Sequence, residues 1–143
     1  VTAFTNSQDK NDFIKKMGAD DVVSSTDQVT LKNLGAKFDL LISTVNVSLD
    51  WNLYLSIIKP RGRLHFVGAV LEPIKSSVFS LMTGRRSISG SPVGSPKNIK
   101  KMLKFCVEHN IKPIVEHFKF SDINNAIEKV RSNEVRFRAV LSW

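Results

Sequence analysis

The stretch from Phe38 to Gly68, FDLLISTVNVSLDWNLYLSIIKPRGRLHFVG, decides how the chain is read. Phe38 and Leu40-Leu41-Ile42 are apolar almost without alternation, the pattern of a strand covered on both faces in a parallel sheet. Asn46 or Ser48 is placed to begin a helix in which Leu49, Leu53 and Ile57 recur every fourth residue, and Tyr54 and Ile58 widen the stripe. Lys59-Pro60-Arg61-Gly62 then ends the helix and turns the chain, and Leu64, Phe66 and Val67 return as a strand. Strand, crossover helix and strand make a βαβ unit.

The same alternation extends to both sides. Upstream, Val1 to Phe4 reads as a strand, and a helix follows from about Asp9 to Met17, with Phe13, Ile14 and Met17 on one face and Gly18 as its stop. Val22 and Val23 offer a short strand, followed by a brief turn or helix with Val29, Leu31 and Leu34 before Gly35. Downstream, Leu71 to Met82 is an irregular connection or helix, and Arg85 to Ser91 holds a short strand entering a loop. Ser95-Pro96 opens a helix whose buried stripe is Ile99, Met102, Leu103 and Cys106, with Lys97, Lys100, Lys101 and Lys104 on the wet face. A strand is expected between Ile114-Val115 and Phe118-Phe120. Ser121-Asp122 starts a helix carrying Ile123, Ala126, Ile127 and Val130, and Phe137, Ala139 and Leu141 alternate in a last strand.

With 143 residues, 42% of them hydrophobic, the chain can build one ordinary core and is not a disordered polymer. Its apolar runs are too short and interrupted to cross a bilayer, so no membrane association is expected, and no secretory leader is visible. A single cysteine, Cys106, closes no internal disulfide and forms no multi-cysteine zinc cage, which favours a reducing, cytoplasmic setting. The formal charge of +8 is uneven: residues 1–70 carry eight basic and seven acidic groups, residues 71–143 thirteen and six. A basic second half suits nucleic acid or a phosphorylated cofactor. Its lysines follow separate helices, however, and no zinc finger, RNP motif or basic zipper organises them, so nucleic acid is the less favoured partner.

Three segments taken together are specific: Gly18-Ala19-Asp20-Asp21-Val22-Val23, Phe38-Asp39-Leu40-Leu41-Ile42-Ser43-Thr44-Val45 and Gly62-Arg63-Leu64-His65-Phe66-Val67-Gly68. In order and approximate spacing they resemble the coenzyme-binding part of medium-chain zinc alcohol dehydrogenases, particularly the cinnamyl-alcohol-dehydrogenase-like branch. Ile88 to Ser91, Pro113 to Val115 and Phe137 to Leu141 carry the resemblance nearly to the end of the chain. It implies an α/β fold, an incomplete doubly wound Rossmann-type parallel sheet with a C-terminal segment belonging to the catalytic domain. Residues 1–112 would be a partial nucleotide-binding domain lacking its first strand and glycine loop, and 113–143 a terminal segment joining the catalytic domain. The absent strand would sit between the Val1 and Phe38 strands.

For a full-length parent the resemblance implies NAD or NADP, zinc, a small alcohol or aldehyde substrate and reversible hydride transfer, with a homodimer as a candidate assembly. The chain departs from the pattern in having no early G-x-G-x-x-G and no cysteine-rich lobe or Cys/His ligand set, which His65, His109 and His117 do not replace. No zinc site and no catalytic residue are therefore assigned within it, and the isolated chain is expected to be inactive. A catalytically inactive interaction protein is the other alternative.

Cofactor contacts are expected at strand ends. In place of the acid that commonly holds the NAD ribose, Val1 to Phe4 is followed by Thr5, Asn6 and Ser7, with Lys10 close behind; these suit the 2′-phosphate of NADP, or form a solvated helix entrance capped by Ser7. Asp9 counts against a phosphate if it points inward. Thr44 and Val45 end the best strand and either meet the cofactor or cap the next helix, and Val67 and Gly68 either approach the nicotinamide or make a tight turn. Ser89, Gly90 and Ser91 resemble the loop that hydrogen-bonds the nicotinamide amide, or are an ordinary turn. Arg138 reads equally as a phosphate contact or an outward residue, Arg85-Arg86 as a solvent-facing loop or subunit contact, and His65 as a hydrogen-bonded structural residue.

Overall fold

The computed structural model describes residues 1–132 and 134–143. These form two compact units, Val1–Val93 and Gly94–Trp143. Every strand pairing described is parallel. In the first unit β1 (Thr2–Thr5) pairs with β2 (Asp21–Ser24), the chain crossing between them through a 3-10 turn at Gln8–Lys10 and helix α1 (Asn11–Lys16). Gly18, at φ 103°, takes the left-handed conformation that stops α1 where the sequence indicated. Helix α2 (Gln28–Asn33) is capped by Asp27, whose carboxylate accepts the Val29 and Thr30 N–H groups at 3.0 Å and the Thr30 hydroxyl at 2.6 Å. Those bonds, the Thr30 hydroxyl foremost, hold the Asp27 carboxyl below its ordinary pKa.

Phe38 to Gly68 contains β3 (Phe38–Ser43), helix α3 (Trp51–Ser56) and β4 (Ile58–Phe66), with helix α4 (Val78–Met82) then leading to β5 (Ser87–Gly90) in a sheet of order β3-β4-β5. Three details differ from the sequence reading. Helix α3 starts at Trp51 under Asp50, which accepts the Leu53 N–H at 3.2 Å, so Asn46 and Ser48 stay in the loop that leaves β3. Lys59 to Gly62 lies within β4 as an irregularity, because the register jumps from Phe38 opposite Ile58 to Leu40 opposite Arg63, and Arg61 takes φ 68° to accommodate the extra residues. Finally, β3 is covered on one face only: Leu41 and Ser43 are 8% and 6% exposed, Leu40 and Ile42 53% and 55%. The core of this unit lies on the Leu41 side.

That core is Leu31, Leu41, Trp51, Leu53, Tyr54, Leu55, Ile57, Ile58 and Leu64. Fully burying side chains of this size contributes roughly 1.5–3 kcal/mol each. The apolar stripe read from the sequence therefore does pack, with Ile58 supplied from the strand rather than the helix. Phe4 of β1 meets Phe38 and Tyr54 edge-on at centroid distances of 5.6 and 5.9 Å, and Trp51 meets Phe66 at 4.8 Å. Aromatic edges thus join the β1-β2 pair to the three-stranded sheet, although the two sheets share no ladder among the described residues.

In the second unit, α5 (Pro96–Glu108) starts as expected, with the Ser95 hydroxyl accepting the Asn98 N–H at 3.3 Å and Pro96 in the first turn. The stripe expected to be buried is not: Ile99, Met102 and Leu103 are exposed and Cys106 is half-buried. Strands β6 (Glu116–Lys119) and β7 (Ala139–Ser142) pair with each other and pack with α6 (Ile123–Arg131), which buries Ala126. Phe137 precedes β7 at φ 67° and is exposed, so it is not the first inward residue of that strand.

Arg85 is exposed, but Arg86 is not the solvent-facing residue that the pair suggested. Its Nε donates to the Ile58 carbonyl at 2.7 Å and its Nη1 to the Ser80 carbonyl at 3.2 Å, tying the start of β4 to α4. A charged fork meeting two carbonyls from different elements is a strong brace. Arg86→Ala should lower the stability of the chain by about 2 kcal/mol in urea unfolding. Arg86→Lys should recover only part of that, since an ammonium lacks the planar fork; a variant as stable as the parent would rule out the brace.

Candidate functional site

Parallel strands end together, so whatever follows their carboxyl ends is gathered at one edge. A cleft of ≈ 530 Å³ runs along β1 and β3. Among the described residues each of these strands has one ladder partner, β2 and β4 respectively. At this edge the cleft collects Thr5, Asn6, Thr44 and Val45, four of the residues singled out from the sequence. It is also lined by Ser43, Trp51 and Tyr54, and the Ser43 Oγ, Trp51 Nε1 and Tyr54 hydroxyl are buried without a hydrogen-bond partner among the described residues. A buried polar group left unpaired costs roughly 1–3 kcal/mol, so three around one opening favour an occupant able to hydrogen-bond. Burial raises the Tyr54 phenol above its ordinary pKa. The cleft lies between β1 and β3, where the sequence reading places the absent strand, and the backbone of such a strand would offer hydrogen-bonding groups to this lining.

Ser7 and Lys10, which follow β1, are outside the lining of the cleft. The Thr5 hydroxyl accepts the Ser7 N–H at 3.2 Å, closing a turn. Ser7 does not cap the helix with its side chain; its hydroxyl donates to the Asp9 carboxylate. Lys10 is exposed one turn on. Sequence reasoning missed Ser25 and Thr26, which line the cleft from the end of β2. The Ser25 N–H donates to the Thr5 carbonyl at 2.8 Å. Their signal was present: Val22 and Val23 mark a strand, and residues just past a parallel neighbour of β1 must emerge at the same edge.

The tips of β3 and β4 are joined by the Ser43 carbonyl, which accepts the N–H groups of Val67 and Gly68 at 2.9 and 3.1 Å. Gly68 lies so close to the loop leaving β3 that an added Cβ would strike the Val45 carbonyl oxygen and come within 2.5 Å of the Thr44 carbonyl carbon. Glycine is thus needed there for contact between two backbones. Gly68, Ser89 and Gly90 line a second depression of ≈ 370 Å³, floored by Phe66 and Ile88. Val67 is outside that lining and half exposed. Ser91 is held to the sheet by its N–H, which donates to the Phe66 carbonyl at 3.0 Å. His65 bridges the loop, with Nδ1 2.8 Å from the Ser89 hydroxyl and Nε2 3.0 Å from the Ser91 hydroxyl.

Arg138 belongs to the second unit and is exposed; its carbonyl accepts the Glu116 N–H at 2.9 Å as the chain enters β7. Among the described residues no three His, Cys, Asp or Glu side chains converge to hold a metal ion, so none is assigned to zinc. No helix among them is long and apolar enough to cross a membrane.

Gly68→Ala should destabilise the first unit by about 1–3 kcal/mol, the usual cost of forcing extra volume into a packed site, because backbone atoms must give way. Gly90→Ala serves as the comparison: its Cβ would meet the Phe66 carbonyl oxygen at 3.4 Å, an ordinary contact. Thermal unfolding should separate the two variants, and equal midpoints would show that the close approach at Gly68 is not a constraint.

Residues 1–108 match the family model described as zinc-binding dehydrogenase. The chain is 49% identical over 142 residues to the aldehyde reductase AdhA of Synechocystis, covering 99% of this chain and 42% of that protein. Its fold superposes with a TM-score of 0.90 on a cinnamyl alcohol dehydrogenase of Sorghum bicolor, at 32% identity, covering 99% of this chain and 40% of that one. It also matches the CAD of Helicobacter pylori complexed with NADP(H), with a TM-score of 0.81 at 28% identity and the same coverage. The chain thus spans about two fifths of the length of these relatives. With its Rossmann-type parallel sheets and a family match over most of its length, the chain belongs to the zinc-binding dehydrogenases, as part of their coenzyme-binding portion.

Proposed function

We propose that this chain supplies most of the coenzyme-binding portion of an NADP-linked oxidoreductase that interconverts small alcohols and aldehydes. The observation that carries the reading is the gathering of Thr5, Asn6, Thr44 and Val45 at one edge, at and just past the carboxyl ends of the parallel strands β1 and β3. When bound, the coenzyme supplies the hydride chemistry; the chain's own residues hold and orient it. Thr5 and Asn6 take the ribose end. Thr44 and Val45, at the end of β3, meet the middle of the coenzyme, while Gly68 and the Ser89-Gly90-Ser91 loop receive the nicotinamide. Zinc and the substrate pocket belong to the rest of the parent enzyme, which residues 113–143 join; Arg138, exposed in that segment, reads equally as a phosphate contact or an outward residue.

NADP is preferred over NAD because β1 ends in Thr5-Asn6-Ser7 rather than in an acid, with the exposed ammonium of Lys10 nearby to meet a 2′-phosphate. The NADP(H) complex of the Helicobacter pylori relative supports this choice. Asp9 opposes it: its carboxylate occupies the Ser7 hydroxyl, which must exchange that partner for the phosphate.

Calorimetric titration of the protein at its native length should give tighter binding of NADPH than of NADH, by about tenfold or more. Lys10→Ala should narrow that ratio by about tenfold, and Asp9→Asn should widen it. Failure to bind either dinucleotide would refute the coenzyme reading. Equal affinity for both, unchanged by Lys10→Ala, would refute only the phosphate assignment.

A further inference from the structure

We propose that Arg61 and Arg85 form a phosphate-binding site at the amino ends of β4 and β5, the opposite strand ends from the candidate coenzyme contacts. In Val1–Val93 they are the two residues other than glycine that take left-handed backbone, with φ 68° and 50°. Each conformation has a local cause. Arg61 lies in the irregular start of β4, and Arg85 closes α4, its N–H donating to the Met82 carbonyl at 3.2 Å and the Arg86 N–H to the Leu81 carbonyl at 2.9 Å. Glycine usually fills such a helix stop, because a Cβ is strained there. Glycine stands next to both positions, as Gly62 and Gly84, yet the strained positions themselves hold arginine. The backbone accounts for the conformation but not for the side chain, and strained residues of this kind concentrate at ligand sites.

The two arginines are neighbours. The Arg61 N–H donates to the Gly84 carbonyl at 2.7 Å, which sets Arg61 beside the Gly84-Arg85 peptide. Both side chains are exposed, and neither guanidinium forms an ion pair or a hydrogen bond among the described residues. Further positive charge surrounds them. The Arg86 guanidinium lies against Gly84, where an added Cβ would come within 2.7 Å of its Cζ, and it meets the Ile58 and Ser80 carbonyls rather than an acid. Arg63 is opposite Ser87 at the start of β5. Lys59, in the same irregular start of β4, meets Asp39 at 2.9 Å, the one carboxylate paired with any of these cations among the described residues. Like charges crowded together destabilise a chain until a counter-charge joins them. A second copy would bring the same charge, so a two-fold contact through this patch is disfavoured. Two free guanidinium forks suit a tetrahedral phosphate, whose oxygens point in several directions, better than a single planar carboxylate.

The test is thermal unfolding of the protein at its native length in millimolar inorganic phosphate, in glycerol 3-phosphate and in sodium chloride at matched ionic strength, with calorimetric titration of both phosphates. Phosphate should raise the unfolding temperature where chloride does not, because a ligand bound to the folded state stabilises it by mass action. Glycerol 3-phosphate binding at least as tightly as phosphate assigns the site to a phosphorylated metabolite; weaker binding assigns it to the free anion. Arg61→Gly and Arg85→Gly should each weaken binding by about tenfold. In chloride both should match or exceed the parent's stability, since glycine relieves the left-handed backbone. Arg85→Lys should keep part of the affinity, its ammonium lacking the planar fork. Lys10→Ala should keep all of it, and both glycine variants should bind NADPH like the parent. No phosphate-dependent rise in the parent overturns the proposal, as does a rise that persists when both arginines are replaced by glycine, or one lost in Lys10→Ala. A glycine variant less stable than the parent in chloride also overturns it, because the arginine would then be serving the fold. The coenzyme reading stands or falls separately, on the dinucleotide titration.

Discussion

Burial of helix α3 against β3 and β4 holds the candidate site in place. Leu55, Ile57, Ile58 and Leu64 are essentially without solvent exposure, and Trp51 and Tyr54 extend the same helix face toward the cleft. Because hydrophobic burial is proportional to area and indifferent to direction, it sets the helix on the sheet; the aromatic edges then make that placement specific. Phe4 touches both Phe38 and Tyr54, so the strand carrying Thr5 and Asn6 is placed by the same core that places Thr44 and Val45.

Polar groups are distributed differently from apolar ones. The Ser43 carbonyl and the Arg86 guanidinium each serve two partners and tie neighbouring elements together. The Ser43 hydroxyl, the Trp51 indole and the Tyr54 phenol, by contrast, are buried beside an open cleft without partners among the described residues. Unpaired groups of this kind lower the stability of a chain unless something else satisfies them. They cluster in a chain that spans about two fifths of the length of the relatives it matches.

Much of the fold was legible because it depends on local chemistry. The Gly18 stop, the Ser95-Pro96 helix entrance and the βαβ unit all follow from residues close in sequence. The errors share a cause. Leu40 and Ile42 looked like a strand buried on both faces, and Ile99, Met102 and Leu103 like a buried helix stripe, yet all are exposed. Periodicity reports which face of an element is apolar; it does not report whether another element reaches it. The start of α3 was misplaced for a different reason: Asn46, Ser48 and Asp50 are all competent caps, and propensity does not choose among them.

The family, the parallel α/β character and the strand ends at which Thr5, Asn6, Thr44, Val45 and Gly68 lie were legible along the chain, since strand order and hydrophobic pattern are local to it. Tertiary structure alone decided which of those residues share a cleft, that Ser25 and Thr26 join them, that Arg86 braces β4, and that His65 links Ser89 to Ser91. Each of these depends on contacts between residues far apart in sequence, made only when the strands are in register and the side chains between them are packed.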